Sequence, residues 1–390
     1  MFAYGIFEVL YAPQKALKEA VQNPRYVGPI LVMILFVIAN MGFGYALLSK
    51  TYLDQTMPIS ADKDEWTETP AYWTSNANIT YNYQEFISGI YYGNKSLEFN
   101  LNSSSHIWME LNITEPLNCS EPEGYKKLTF RVNIVKPASP PSNVSIYLFS
   151  STRKDSFYKN ITGKIDNTGI WNNLTFSLGQ EWTQINDADW GNITGLKLEF
   201  TWSDRSNVTL LIDGLFFHGV YKSGMEIAGD LLVSLGNPYS PINAFMQFTI
   251  QWVLLGGVLY IIPKMFGVKT VWKPLLVAAG FILMAYFIRT VVFTFVYTAS
   301  PEIYYTLAYL GGVPGEWEKA YEQVFQKSSL PYQVLWGFDK LVWVWAIALC
   351  AITIRIVSEM SWAKSFVAST SSYLLYTLLL LFLAPTAVFL

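Results

Sequence analysis

Residues 27–48 read VGPILVMILFVIANMGFGYALL and contain no charged side chain. A bilayer core about 30 Å thick is crossed by roughly 20 mostly apolar residues in helical form, so this stretch predicts a transmembrane helix. A 26-residue segment precedes it and no small-residue cleavage site follows it. We therefore interpret it as a retained anchor and not as a cleaved signal peptide.

Four further stretches have the length and composition of spanning helices: residues 242–262, 275–297, 334–356 and 371–390. The predicted fold of this part is an all-α membrane bundle of five transmembrane helices, with helices 2–5 in residues 242–390. Residues 1–26 are expected to form a cytoplasmic amphipathic lead-in. Residues 223–241 are expected to form an interfacial helix, because Met225, Ala228, Leu232 and Leu235 make an apolar stripe.

Basic residues predict the orientation, because short cytoplasmic loops carry an excess of Lys and Arg. With the N-terminus inside, eight basic residues fall in inner segments: Lys15, Lys18, Arg25, Lys264, Lys269, Lys273, Arg355 and Lys364. The short outer loop has only Lys319 and Lys327. We expect a multi-pass protein of the cell membrane, with a cytoplasmic N-terminus and with residues 51–241 and the C-terminus extracellular.

The charge distribution separates a polar middle from apolar ends. Residues 51–240 contain 13 Lys and Arg against 21 Asp and Glu, whereas the rest contains 13 against 8. The whole chain is only 14% charged, against about 25% in soluble domains, which favours a membrane protein. No basic patch is interleaved with aromatic residues, which argues against nucleic acid as a partner.

Residues 51–222 show the period-two alternation of strands with one buried face. In one example, Leu128, Phe130 and Val132 alternate with polar residues, and similar runs occupy 97–101, 107–113, 174–178 and 196–202. Turn-forming residues separate the runs, which predicts an all-β antiparallel sandwich. About 170 residues are enough to bury an independent core.

Ten Asn-X-Ser/Thr sequons lie in this segment and none lies outside it. They are at Asn78, Asn94, Asn102, Asn112, Asn118, Asn143, Asn160, Asn173, Asn192 and Asn207. Asn102, Asn112 and Asn173 fall on the polar faces of predicted strands, where a glycan would project. The concentration predicts N-linked glycans on an extracytoplasmic domain, although an Asn- and Thr-rich sheet also generates sequons by composition.

The apolar regions resemble the Yip family, membrane proteins named for Ypt/Rab-interacting proteins. Similar features are the lead-in YAPQKALKEA at 11–20, the span and Gly/Lys turn at 254–276, and the blocks WVWAIAL at 343–349 and SWAKS at 361–365. The resemblance covers roughly residues 1–50 and 240–390, and it implies five spans and a cytoplasmic N-terminus. Eukaryotic members have a longer N-terminal region and no folded insert, so Rab binding is not carried over. The short N-terminus resembles prokaryotic members, and with the sequons it suggests an archaeal cell surface.

The insert resembles a galactose-binding-like jelly roll of the kind found in carbohydrate-binding modules. The similar stretches are DWGNITGLKLEF at 189–200 and VTLLIDGLFF at 208–217. In some relatives an Asp at the position of Asp213 ligates a structural Ca²⁺. A turn Asp is the preferred interpretation here, and no cofactor or metal is predicted.

Residues with catalytic potential are sparse. Phosphate-binding glycine loops, paired histidines and nucleophile elbows are absent from the sequence, so no enzyme is predicted. His106 and His218 are interpreted as structural, and Cys119 and Cys350 are not expected to pair. Among the tryptophans of the insert, Trp202 is assigned to the core, whereas Trp108 and Trp171 are candidates for stacking on a sugar.

Arg289 and Asp339 are predicted to lie at similar depths in the third and fourth spans. Charges in lipid are costly and usually pair, so we expect an inter-helix ion pair, either as a packing clamp or as part of a proton or ion relay.

Three functions remain open from the sequence. The first is a non-enzymatic surface protein whose sandwich binds glycans or neighbouring surface proteins. The second is a membrane scaffold with the insert as a protective cap, and the third is a small transporter or channel. The expected partners are the lipid bilayer, N-linked glycans and surface glycans or proteins.

Overall fold

The structure, a computed structural model, describes residues 2–59, 61–229, 237–311 and 313–383, and these form two compact units. The helical unit comprises residues 1–52, 223–303 and 326–390, and the β unit comprises 53–222 and 304–325. The helices are α1 (Phe2–Tyr11), α2 (Pro13–Gln22), α3 (Val27–Ser49), α4 (Glu65–Glu68), α5 (Gly224–Ala228), α6 (Pro241–Met265), α7 (Trp272–Ile282), α8 (Met284–Ala299), α9 (Leu307–Leu310), α10 (Glu316–Ser358) and α11 (Trp362–Leu383). The strands are β1 (Thr51–Met57), β2 (Trp73–Ser75), β3 (Asn78–Asn82), β4 (Ser96–Leu117), β5 (Lys127–Lys136), β6 (Asn143–Ser150), β7 (Thr152–Asn160), β8 (Trp171–Ser177), β9 (Thr183–Ile185), β10 (Ile193–Ser223) and β11 (Ile303–Tyr305).

Among the described residues, five helical stretches are long and apolar enough to cross a membrane: Val27–Ser49, Pro241–Met265, Trp272–Ala299, Glu316–Ser358 and Trp362–Leu383. Their number and order agree with the sequence prediction. The third is interrupted at Leu283, where the N–H of Tyr286 bonds the Leu283 carbonyl in a tighter turn.

Three predicted elements differ from the structure by more than a few residues. α10 is a single 43-residue helix, because Pro331 lies inside it without ending it. α11 begins nine residues before the predicted 371, because the polar residues of its first turns lie on a buried face. Of the predicted interfacial helix at 223–241, α5 is present with a capping box between Ser223 and Glu226, whereas residues 230–236, including Leu232 and Leu235, lie outside the described residues.

The core of the helical unit joins α3, α6, α7, α10 and α11, and α1 and α2 contribute to it. Val9 and Leu17 are fully buried there, so part of the predicted lead-in is packed against the bundle. α3 and α7 cross closely, since a Cβ on Gly28 would overlap the ring of Phe281 and one on Gly280 would overlap Pro29.

The β unit is an antiparallel structure in two layers that share the long strands β4 and β10. Layer A has the order β2-β4-β10-β6-β7-β9, and layer B has the order β3-β4-β10-β5-β8. β4 and β10 pass from one layer to the other near Ser103, which has φ of 52°, and near the register shift between Thr201 and Ser206. Apolar side chains from both layers form one core. The sequence had predicted separate strands at 97–101 and 107–113, which the structure joins in β4, and its predicted strand at 196–202 is the first part of the longer β10.

The outer faces of the two layers differ. The outer face of layer B is covered. Leu211 and Asn133 point away from the core, yet only 1% and 4% of their surfaces are exposed. A cluster of Ile87, Tyr92, Phe216, Leu307 and Val313 lies on that side of β10. The outer face of layer A carries half-exposed residues, and is therefore the open face of the sandwich.

Candidate functional site

A cleft of about 740 Å³ lies at one end of the sandwich, where the loops after β4, β8 and β9 meet. Its lining residues are Cys119, Ser120, Glu121, Lys126, Phe157, Leu178, Gly179, Gln180, Glu181, Trp182, Gln184, Ala188, Asp189 and Trp190. Ligand sites in proteins are commonly concave spaces of about 300–1,000 Å³ with apolar walls and a few polar groups. The cleft has this size and composition.

The apolar wall is an aromatic cluster held in fixed geometry. Trp190 stacks on Phe157 with ring centroids 3.8 Å apart, and Trp182 meets Trp190 edge-on at 6.0 Å. The indole N–H of Trp182 donates to the Ser177 carbonyl at 2.8 Å, which fixes its orientation. Trp182 is buried and Trp190 is half-buried, so Trp190 is the indole that a ligand can reach.

The polar groups of the cleft include one shielded cation. The Nζ atom of Lys126 is buried and has no hydrogen-bond partner among the described residues. The carboxylates of Glu121 and Asp189 are exposed at the rim, where Glu181 also pairs with Lys159 at 2.7 Å. Burial raises the pKa of Cys119 to about 12, so its thiol is neutral and unsuited to nucleophilic chemistry.

The open face of layer A carries a second group of aromatic and charged residues. Glu110, Lys197, Tyr147 and Tyr158 follow one another across four neighbouring strands. The two tyrosine rings lie 5.1 Å apart. This row is flat, and its charged members are engaged, since Arg153 pairs with Glu110 and Lys197 pairs with Glu199.

The structure separates the tryptophans that the sequence had singled out. Trp202 is buried at 5% exposure, which confirms its assignment to the core. Trp108 is half-buried on the open face, with the Lys197 ammonium 5.4 Å from its ring. Trp171 lies in layer B under the guanidinium of Arg131 at 4.1 Å, so one of its faces is covered. Trp182 and Trp190 were not singled out from the sequence, and the structure places both in loops outside the strands.

Asp213 belongs to a buried acid pair. Its carboxyl is hydrogen-bonded to that of Asp64, and it accepts N–H bonds from Ile87 at 2.6 Å and from Gly214 at 2.9 Å. Burial, and then the charge of Glu68, raise the pKa of Asp64 to about 6. Burial, and then the charge of Asp64, also raise the pKa of Asp213. The pair therefore favours sharing a proton.

This arrangement does not fit the Ca²⁺ site that some jelly rolls have at the position of Asp213. The Asp213 oxygens are occupied by N–H donors, and the guanidinium of Arg131 lies 3.3 Å away. The described residues contain no group of three His, Cys, Asp or Glu that could hold a metal ion.

The ten sequon asparagines lie at the surface of the β unit. Asn143 and Asn192 are half-buried, and the other eight, including Asn102, Asn112 and Asn173, are exposed. The eight exposed positions are therefore accessible to a glycan, whereas the amide nitrogens of Asn143 and Asn192 donate to the hydroxyls of Ser145 and Ser151.

In the helical unit, the structure brings together Arg289 and Asp339, the two charges that were predicted to pair. Nε of Arg289 donates to Oδ1 of Asp339 at 2.7 Å, with the side chains 15% and 22% exposed.

No protein-family model and no curated protein matches the chain. Among solved structures, it is similar to the family 11 carbohydrate-binding module of Clostridium thermocellum in complex with a β-1,3-1,4-mixed-linked tetrasaccharide, at 10% identity, covering 42% of this chain and 94% of that one, with a TM-score of 0.29. It is also similar to the family 30 carbohydrate-binding module of a cellulosomal cellulase of Clostridium thermocellum, at 14% identity, covering 44% and 97%, with a TM-score of 0.31. An exo-β-agarase matches at 14% identity over 40% of this chain and 23% of its own, with a TM-score of 0.30.

Proposed function

We propose that this chain is an integral membrane protein that binds carbohydrate in the end cleft of its β-sandwich. The observation that carries the proposal is the Trp190 indole, held rigid by Phe157 beside a polar-rimmed cleft of about 740 Å³. Aromatic faces stack on the apolar face of a sugar ring, and a ring that is already immobilised loses little entropy on binding.

The polar rim supports a hydroxyl-rich ligand. Sugar hydroxyls donate and accept hydrogen bonds, and the cleft offers carboxylates, the amides of Gln180 and Gln184, and the Lys126 ammonium. The shielded Lys126 Nζ is unsatisfied within the described residues, and a ligand oxygen would supply the missing acceptor once the Lys126 side chain turns toward the cleft.

The membrane part of the proposal rests on the five apolar helices and on the distribution of basic residues. We infer that the N-terminus is cytoplasmic and that the sandwich is displayed, as a jelly roll carrying N-linked glycans, on the outer surface of the cell. The binding module is non-enzymatic in this proposal.

The test is a glycan array probed with the full chain in lipid nanodiscs, followed by calorimetry on each glycan that binds. Trp190→Ala is expected to weaken binding at least tenfold, and Lys126→Met several-fold. Trp108→Ala, which removes an indole from the open face, is the matched control and is expected to bind like the wild type.

Two outcomes contradict the proposal. One is an array without any bound glycan. The other is a loss of binding in Trp108→Ala that Trp190→Ala does not share, which would move the site to the open face.

A further inference from the structure

Helix α11 has one face of hydroxyl-bearing side chains inside the helical unit. Ser365, Ser369, Ser372, Tyr373 and Tyr376 are at most 1% exposed, and their spacing places them on one side of a helix. Ser369 donates to the Ile347 carbonyl at 2.5 Å. The Oγ atoms of Ser365 and Ser372 are buried without a partner in the described part of the chain, although buried polar atoms nearly always have one.

Helix α8 carries a second column of hydroxyls in Tyr286, Thr290, Thr294 and Thr298, one residue on each turn. Thr290 is buried, Tyr286 and Thr294 are half-buried, and Thr298 is exposed at the far end of the column. Each threonine hydroxyl donates to the carbonyl four residues earlier, at 3.0, 2.9 and 2.7 Å, and keeps its oxygen as an acceptor. The hydroxyls of Tyr286 and Tyr373 lie 2.7 Å apart, which joins the two columns.

The contacts with α10 show how the columns are arranged. Trp343 lies against Tyr373, and the Ile347 carbonyl lies against Ser369, so α10 and α11 run in opposite directions. Arg289, one turn beyond Tyr286, meets Asp339, one turn before Trp343, so α8 and α10 are also antiparallel. α8 and α11 therefore run in the same direction from their tyrosine contact.

The joined columns have the length of a membrane core. Ser365 to Tyr373 spans about 12 Å and Tyr286 to Thr298 about 18 Å at 1.5 Å per residue, together about 30 Å. The hydrocarbon core of a bilayer is also about 30 Å thick. We call the two joined columns the hydroxyl track. The Arg289–Asp339 pair lies one turn from the tyrosine contact, near the middle of this track.

We propose that this track conducts protons across the membrane, with Asp339 as the group that takes and releases them. This activity rests on the membrane-spanning part of the proposed function and is independent of carbohydrate binding. A proton enters at Ser365, passes along hydroxyls and bridging waters to the tyrosine pair, and is taken up by the Asp339 carboxylate. The carboxyl then releases one proton along Thr290, Thr294 and Thr298, so one proton leaves for each that enters.

The charged and titratable groups around Asp339 fit this role. Arg289 is its ion-pair partner, and the adjacent Lys340 lies instead over the rings of Trp336 and Trp343, at 5.4 and 4.5 Å. Hydroxyls one helical turn apart are about 5–6 Å from each other, a gap that one water bridges. Ionisable residues within membrane spans mark ion pathways and proton relays, in which carboxylates are common members.

The test uses the full chain reconstituted in liposomes that contain the pH-sensitive dye pyranine. A valinomycin-driven potassium diffusion potential supplies the driving force, and the rate of internal pH change is measured. The wild type is expected to exceed protein-free vesicles at least tenfold. Tyr373→Phe, which removes one oxygen and keeps the ring, and Asp339→Asn are each expected to reduce the excess rate at least tenfold.

Thr370→Val is the matched control, because its hydroxyl lies on α11 but on the exposed side, bonded to the Phe366 carbonyl at 3.0 Å. It is expected to conduct like the wild type, and Thr294→Val, in the other column, is expected to be slow. Wild-type flux equal to that of empty vesicles, or equal rates in Tyr373→Phe and Thr370→Val, would overturn the proposal. Glycan binding by the same preparations is expected to be unchanged, so the two proposals fail separately.

Discussion

Arg289 and Asp339 are 50 residues apart in the chain, and Nε of the first donates to Oδ1 of the second at 2.7 Å. Asp339→Asn removes the negative charge and leaves the guanidinium without its counterion. We expect the helical unit to lose about 2–3 kcal/mol, below the 3–5 kcal/mol of a fully buried pair, because both side chains are partly exposed. Thermal unfolding of the wild type and of Asp339→Asn in detergent measures this loss of stability.

The control for that substitution is Glu359→Gln, which neutralises an exposed acid of the same unit. The charge-swapped double variant Arg289→Asp, Asp339→Arg is expected to recover part of the loss. Unfolding of Asp339→Asn at the wild-type temperature would show that the pair contributes nothing to stability.

The Asp64–Asp213 pair predicts that the β unit is less stable at neutral than at acidic pH. Folding raises the pKa of Asp64 from 3.8 to about 6, so the folded state binds the proton more tightly. Proton binding therefore adds about 3 kcal/mol to the free energy of unfolding below pH 3.8, and this contribution is lost as the pH rises from 3.8 through about 6. Chemical unfolding followed by tryptophan fluorescence at pH 4.5 and 7.5 tests the sign.

Asp64→Asn removes the titrating group and is expected to flatten this pH dependence. Two results together would contradict the shared proton: a wild-type β unit that becomes more stable between pH 4.5 and 7.5, and the same pH dependence of the free energy of unfolding in Asp64→Asn.

Asp54 of β1 forms hydrogen bonds with both β10 and α9 of the β unit. Its carboxylate accepts N–H bonds from Gly219 at 2.7 Å and from Leu307 at 3.2 Å, and it lies 3.0 Å from Nδ1 of His218. Asp54→Ala leaves two backbone donors unsatisfied, at about 1–3 kcal/mol each. We expect faster hydrogen exchange at Gly219 and Leu307, measured by mass spectrometry. Asp62→Ala, at an exposed position, is the control. Unchanged hydrogen exchange at Leu307 in Asp54→Ala would show that Asp54 does not hold α9 against β10.

The sequons predict a heterogeneous mass on the chain purified from its native host. Chemical deglycosylation is expected to collapse it to the 44.3 kDa of the polypeptide. Asn160→Gln, at an exposed position, is expected to remove one glycan, whereas Asn23→Gln, outside any sequon, removes none. A native preparation that already has the polypeptide mass would contradict glycosylation.

The helical unit was predictable in its elements but less so in their limits. Apolar runs of about 20 residues identify spanning helices without knowledge of their neighbours. The start of α11 was missed because Lys364, Ser365 and Ser369 lower the local hydropathy, although both serines are buried against other helices. The pairing of Arg289 with Asp339 was predictable from the sequence. It placed the two charges at similar depths in two predicted spans, where an isolated charge is costly.

The cleft was not predictable in the same way. Lys126, Trp182 and Trp190 lie in loops after different strands, and no local pattern relates them. Trp108 and Trp171 were selected as surface candidates and lie in β4 and β8. No local pattern could show that Arg131 covers one face of Trp171.

The sequence by itself determined the five apolar helices, the β character of residues 51–222 and the positions of the sequons, because each depends on local composition or on a short repeat. Only the tertiary structure decided that β4 and β10 run through both layers, that layer A keeps an open face, and that hydroxyls of α8 and α11 meet at Tyr286 and Tyr373. These relations join residues distant in the chain, so they depend on packing and register, which no local pattern encodes. The first apolar stretch, 27–48, thus predicted a helix long and apolar enough to cross a membrane, which the structure contains as α3, whereas the candidate sites arise only from long-range contacts.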